Sequence, residues 1–394
     1  MAFQTAVPDQ PRNLVVCCDG TGNEVETDLS NVLKFYRVAV KSEQQVVFYH
    51  PGVGTLGLRS GWGQQLRKIR GVWGLATGAG LNANILEAYT FLARAHRPGD
   101  RIFLLGFSRG AYTVRALAGF IHMIGLLRPE QLNLCDYALN AYLQADSEND
   151  LEVAWRFQRT VDGRRVPIHF MGVWDTVASV LVPRARFPWV PKQQHLPYTK
   201  QNPSVRTFRQ ACAIDERRRM FRLYNWRLDQ KLAPDAWPEA GLQPRDAKQV
   251  WFAGVHADVG GGYSEAESQL AKFPLQWMIG EAEHAGLLID RSIVERLVLG
   301  SSSSGKPHEY VSPDHQASAH DSLTLGWRPL EWLPKRLKWR RWPAKTDRTG
   351  WYLPRAEPRY IPEGAHLHKS VSQRLVDLTT YKPVNLPDSY EVES

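Results

Sequence analysis

Residues 101–112 read RIFLLGFSRGAY. An apolar run stops at Gly106, and Ser108 follows with a glycine two residues to either side. In a G-x-S-x-G turn a strand bends sharply into a helix and holds the serine Oγ outward, and the glycines leave room for neighbouring backbone. A serine hydroxyl is a weak nucleophile until a base takes its proton. Two later strand-like runs end in groups that can provide and orient such a base. GVWDTVAS presents Asp175 and GVHADVGGGY presents His256. The order Ser, Asp, His is one of the known triad orders. His256 would act as base and then acid, and Asp175 would fix its tautomer.

Other residues compete for these roles. Asp258, two positions past the histidine, and Asp215 in AIDERRR are the alternative acids. An oxyanion hole needs backbone N–H donors. The residue after the nucleophile, Arg109, supplies one, and Gly20 or Thr21 in the DGTGN turn supplies a second. Asp19 is expected to order that turn through side-chain-to-backbone bonds. A metal reading groups Asp19, Asp175, His256 and Asp258 as the oxygen and nitrogen ligands of a metal-dependent phosphatase. It gives Ser108 no role, so neither a metal nor a cofactor is expected. His366 and His368 form a lone H-x-H, a weak metal signal.

The elements that must position these groups alternate. NLVVCC, QQVVFYH, RIFLL, VPIHFMGVW and KQVWFAGV read as strands, and NVLKFYRVAV, NANILEAYTFLARAH and AYTVRALAGFIHMIGLL carry helical spacing. Such alternation predicts an α/β fold: a doubly wound, mostly parallel sheet with helices on both faces. Asp19, Ser108, Asp175 and His256 each follow an apolar strand. In open parallel sheets the carboxyl ends of strands share the rim where ligands bind.

The expected division is a polar tail (1–12), a catalytic domain (13–290) with a Pro-rich lid or insertion at 181–206, and a C-terminal extension (291–394) packed on it. GSSSSGKP opens that last part like a linker, and GWRPLEWLPKRLKWRRWP interleaves Trp with Lys and Arg. Trp favours a membrane interface and cations favour anionic head groups, so Lys338, Trp339, Arg340 and Arg341 are membrane-surface candidates. The net charge of +9 also biases the chain toward anionic partners. No nucleic-acid motif accompanies it, so nucleic acid is not an expected partner.

The four cysteines, Cys17, Cys18, Cys135 and Cys212, show no paired zinc spacing. The start MAFQTAVPDQPRN lacks the basic and apolar regions of a signal peptide, and ALAGFIHMIGLL is too short to span a bilayer. Synthesis in the cytoplasm follows as the expectation.

Taken in order, VVCCDGTGN, SNVLKFYR, YHPGVGT, RPGDRIFLLGFSRGAYTVRALAGFIHMIGLL, GVWDTVAS, IDERRR and WFAGVHADVGGGY resemble one family. It is the α/β-hydrolase domain family catalogued as domain of unknown function 2235, which includes the catalytic domains of type VI secretion phospholipase effectors. The resemblance spans residues 13–263. It implies an α/β-hydrolase fold, a Ser-Asp-His triad on Ser108 and His256 with an acidic partner, and hydrolysis of (phospho)lipid acyl esters. It also implies a secretion-machinery or immunity partner, and export without a signal peptide. A non-catalytic membrane- or partner-binding module on the same scaffold is the alternative.

Overall fold

The structure is a computed structural model that describes residues 11–20, 29–52, 78–145, 151–177, 181–183, 191–193, 196–228, 246–301, 310–343 and 348–394. Its strands are β1 (Asn13–Cys18), β2 (Gln45–His50), β3 (Arg101–Phe107), β4 (Ile168–Trp174), β5 (Leu181–Pro183), β6 (Pro191–Gln193), β7 (Val205–Ala213), β8 (Asp246–Phe252), β9 (Lys335–Arg336), β10 (Trp351–Tyr352), β11 (Ala365–His368) and β12 (Tyr390–Glu393). Eight of them form one sheet in the order β12-β11-β8-β7-β4-β3-β1-β2, and every pairing in it is parallel.

Side chains of a strand alternate between faces, and both faces of this sheet are covered. Leu14, Val16, Ile102 and Leu104 pack with helices α1 (Gly78–Ala95) and α2 (Ser108–Ile124). Val15, Cys17, Phe103 and Leu105 pack on the other side with helix α3 (Gln269–His284). Strand order reverses at β1, which has β2 on one side and β3 on the other. A crevice forms at such a switch point, and Ser108 follows directly from β3.

Two regions depart from the expected organisation. VRTFRQACA forms the central strand β7, which the apolar pattern does not announce because Arg209 and Gln210 interrupt it. Their polarity is answered inside the fold: Arg209 pairs with Asp246 and Glu281, and Gln210 Oε1 accepts from Arg115 Nη2 at 2.8 Å. The second departure is the boundary at 290. β11 pairs with β8 and β12 pairs with β11, so the C-terminal third completes the main sheet rather than packing beside it. Leu367, Ile361 and Val371 bury a third apolar cluster against Cys212 and Trp251.

Of the expected lid, 184–190 and 194–195 lie outside the described residues; β5 and β6 pair antiparallel, and Leu196 is buried. Residues 1–10 also lie outside them, and Arg12 anchors the root of the tail to Asp100 at 2.7 Å. The four cysteines are buried and unpaired. Among the described residues no helix is long and apolar enough to cross a membrane.

Candidate active site

The elbow is built by steric demand. Ser108 has φ +56°, a left-handed conformation that a serine adopts only when its surroundings force it. A Cβ at Gly106 would lie 2.6 Å from the Gly110 carbonyl oxygen, and one at Gly110 would lie 2.1 Å from the Cys18 carbonyl oxygen. The two glycines let the start of α2 press against the ends of β3 and β1. Ser108 thus stands at the N-terminus of a 17-residue helix, where the first N–H groups have no partner within the helix.

His256 Nε2 lies 2.8 Å from Ser108 Oγ, and His256 Nδ1 lies 2.5 Å from Asp175 Oδ2. With Nδ1–H donated to the carboxylate, Nε2 is left to accept the serine proton. The imidazole is buried between Phe107 and Phe221, with ring centroids at 4.7 and 4.9 Å. Burial pushes its pKa down, and Asp175 pulls the other way without restoring the ordinary value.

Asp175 is fully buried and follows β4 with φ +36°. The Ala213 N–H donates to its Oδ1 at 3.0 Å. Arg359 binds both oxygens, Nη1 to Oδ1 at 2.5 Å and Nη2 to Oδ2 at 2.9 Å. Burial alone would raise this carboxyl's pKa. The Arg359 charge, with His256, overcomes that and holds it well below the usual carboxylate range.

A second carboxylate fixes the histidine's backbone. Glu216 Oε2 accepts the His256 N–H at 3.2 Å, and the same side chain accepts from Ser322 Oγ and from Arg218. Arg218 in turn lies over the Phe221 ring at 3.6 Å, and Phe221 packs edge-on against Trp327. A cation held over an aromatic face stiffens that wall.

The competing residues are engaged elsewhere. Asp258 Oδ2 accepts the Val255 N–H at 3.0 Å, and its Oδ1 meets His320 Nδ1 at 2.6 Å. His320 stacks on Tyr263 with centroids 3.5 Å apart. Asp215 accepts from the Gly254 N–H at 2.7 Å and from the Tyr381 hydroxyl at 3.0 Å. Both aspartates are thus committed to partners other than the His256 ring. The metal grouping does not assemble, because Asp19 gathers the Ser30 and Tyr49 hydroxyls while Asp258 holds His320. Among the described residues no group of three or more potential ligands converges.

The Gly20 N–H, expected as an oxyanion donor, is turned to Asp19 Oδ1 at 2.6 Å, and Thr21 lies outside the described residues. The Arg109 N–H keeps its place at the helix start. The Arg109 side chain is half-buried, and burial pushes its pKa down to about 9. His366 and His368 also part: His366 faces Glu391 at 3.5 Å, and His368 stacks on Phe252 and bonds Ser370.

Sequence reasoning misses Arg359, Glu216, His320, Ser322, Phe221 and Trp327. Glu216 has a signal, since IDERRR sets two acids beside three arginines, but its neighbour Asp215 is the more obvious triad acid. The others sit in irregular segments where no periodicity marks a site.

The chain matches the family described as "T6SS, Phospholipase effector Tle1-like, catalytic domain" over residues 12–281. It is 32% identical over 226 residues to the uncharacterized protein YEL023C of Saccharomyces cerevisiae, covering 54% of this chain and 32% of that one. Two solved structures are similar. An uncharacterized protein from Pseudomonas aeruginosa shares 20% identity with a TM-score of 0.40, covering 71% of this chain and 46% of that chain. The Tle1 effector, solved bound to the VgrG spike of the type 6 secretion system, shares 18% identity with a TM-score of 0.32, covering 66% and 53%. This chain therefore spans about a third of the yeast relative and about half of each solved chain. The match over most of its length places it plainly: the chain belongs to the Tle1-like phospholipase effector catalytic-domain family.

Proposed function

We propose that the protein is a serine esterase that cleaves (phospho)lipid acyl esters through an acyl-enzyme. The observation that carries this reading is the contact between Ser108 Oγ and His256 Nε2 at 2.8 Å, backed by Asp175 and Arg359. Ser108 attacks the ester carbonyl while His256 takes its proton. The Arg109 N–H, at the start of α2, stabilises the charge that develops on the carbonyl oxygen. The imidazolium passes its proton to the departing alcohol. Water, deprotonated by His256, then releases the fatty acid and restores Ser108. Asp175 stays ionised throughout and holds the imidazole in the productive tautomer.

The lipid substrate is supported by the family and by an exposed surface in the C-terminal third. Trp332, Leu333, Trp339 and Trp351 are more than half exposed, and Lys338 lies over the Trp339 ring at 5.3 Å. Exposed indole rings among cations suit an anionic membrane surface. Arg340 and Arg341 continue the same basic segment. From the family we propose a secretion-machinery or immunity partner for this chain.

Purified protein and Ser108→Ala are assayed on dispersed phospholipid and on a short-chain ester, with circular dichroism to verify folding. Ser108→Ala loses turnover by about 10⁴-fold or more while staying folded. Full activity in that variant would contradict the reading.

A further inference from the structure

Three successive backbone donors lead into the histidine of the site, and each goes to a different carboxylate. The Gly254 N–H donates to Asp215 Oδ2 at 2.7 Å, the Val255 N–H to Asp258 Oδ2 at 3.0 Å, and the His256 N–H to Glu216 Oε2 at 3.2 Å. The first of the three positions requires glycine. Gly254 has φ +105°, and a Cβ there would lie 2.3 Å from Asp258 Cβ, so Asp258 reaches back over the loop only because no side chain stands in its way. The Asp215 N–H donates to the Gly254 carbonyl at 3.0 Å, which ties the segment after β7 to the segment after β8 in both directions.

Each carboxylate is completed from the C-terminal third. The Tyr381 hydroxyl donates to Asp215 at 3.0 Å, and the Ser322 hydroxyl donates to Glu216 at 3.0 Å. His320 serves Asp258 twice, through its backbone N–H at 3.2 Å and its Nδ1 at 2.6 Å. Glu216 and Asp258 are almost wholly buried. An N–H donated to a carboxylate makes a bond about twice as strong as a neutral one, and burial strengthens it further. With three consecutive N–H groups so fixed, the backbone under His256 is set. Phe107 and Phe221, packed on the imidazole, restrict what rotation is left to the ring.

We propose that Asp215, Glu216 and Asp258 act together as positioning residues, a cradle that holds the His256 imidazole on Ser108 by taking the three backbone N–H groups of its loop, with Tyr381, Ser322 and His320 closing the cradle. The reading rests on the esterase function proposed above. It gives the two aspartates that compete with Asp175 in sequence a part in the same reaction without contact to the ring. What they contribute is hydrogen-bond acceptance rather than charge. A misplacement of about 1 Å between nucleophile and base can cost about 10²-fold in rate, so the chemical step depends on the cradle while substrate binding does not.

Asp258→Ala and Asp258→Asn are compared with wild type on p-nitrophenyl butyrate, with circular dichroism to verify folding. In Asp258→Ala kcat falls by about tenfold to a hundredfold and KM stays within about twofold. Asp258→Asn recovers most of that loss: its amide oxygen accepts the Val255 N–H, and its amide nitrogen donates to His320 Nδ1 in the other tautomer. Unchanged kcat in folded Asp258→Ala, a loss expressed in KM, or an equal loss in Asp258→Asn would overturn the cradle. Should Asp258→Ala not fold, Ser322→Ala carries the test, since it removes one hydroxyl from Glu216. It lowers kcat about fivefold, and an unchanged kcat there would overturn the proposal.

Proton NMR of the Nδ1–H that His256 shares with Asp175 gives a readout independent of turnover. The resonance is assigned by its absence in His256→Gln. It is retained in Asp258→Asn and lost to solvent exchange in Asp258→Ala, because a displaced ring no longer meets the carboxylate. An unaltered resonance in Asp258→Ala would overturn the cradle. If the wild type hydrolyses no ester at all, the esterase reading fails and this resonance alone decides the cradle.

Discussion

The residues up to 281 and those after them contribute to the site in opposite ways. The first region carries the proposed triad: Ser108 after β3, Asp175 after β4 and His256 after β8. The second supplies what holds those groups: Arg359 on both oxygens of Asp175, Ser322 on Glu216, His320 on Asp258 and Trp327 behind Phe221. The proposed triad lies at the ends of regular strands, where the sheet fixes it in space. Its supports come from turns and short helices folded over that rim. An active site can therefore announce its chemistry in regular sequence while its electrostatics depend on a segment that looks structureless.

The comparison can be broken from either side. Asp175→Asn leaves the carbonyl oxygen in place but favours the wrong imidazole tautomer, and kcat falls by about 10⁴-fold. Arg359→Met attacks the same carboxylate from the second region. Leaving Asp175 buried and without its cation costs about 3–5 kcal/mol of stability, read as a lower urea midpoint. Its effect on chemistry has a defined sign. In the proposed mechanism the rate requires neutral His256, whose pKa lies below its ordinary value of about 6.5. The wild-type acid limb of kcat/KM therefore falls below that pH. Removing the Arg359 charge leaves Asp175 free to favour the imidazolium, so the limb moves to higher pH, and Arg359→Lys moves it less. An unmoved limb would reduce Arg359 to a structural role.

The same pair sets an acid dependence of stability. Asp175 has a native pKa held below its unfolded value of about 3.9. Its contribution is full above that value and is lost as pH falls through the native one. In Arg359→Met this loss, which begins near about pH 4, shrinks.

Smaller changes sharpen the comparison. His320→Ala removes the hydrogen bond to buried Asp258 and the stack on Tyr263, costing about 1–3 kcal/mol, with a several-fold loss of rate through the Val255–His256 turn. A rate loss equal to that of Asp175→Asn would make Asp258 and His320 the working pair. The smallest effect is expected at the surface. Lys338→Gln weakens co-sedimentation with anionic vesicles by about fivefold, in line with about 1 kcal/mol for one lysine at such a surface.

Much of this fold can be read from sequence where physics writes a short period. The apolar runs before Asp19, Ser108, Asp175 and His256 mark strands because each is buried on both faces. The glycines at 106 and 110 mark the elbow because backbone passes where a Cβ would be. β7 stays hidden because Arg209 and Gln210 are satisfied by partners far along the chain, and local patterning cannot see Glu281 or Arg115. Arg359 is hidden for the same reason: it is one arginine in a basic, proline-rich stretch, and only the folded chain puts it against Asp175. Asp258 looks like a rival acid by proximity to His256, yet the helical turn that begins there aims it at His320 instead.

The central claim is that Ser108 is an activated nucleophile. Purified wild type and Ser108→Ala are incubated with a fluorescent fluorophosphonate, and the labelled residue is located by mass spectrometry. The account predicts a single adduct on Ser108 in the wild type and none in the variant. Equal labelling of folded Ser108→Ala, or an adduct at another residue, would contradict it.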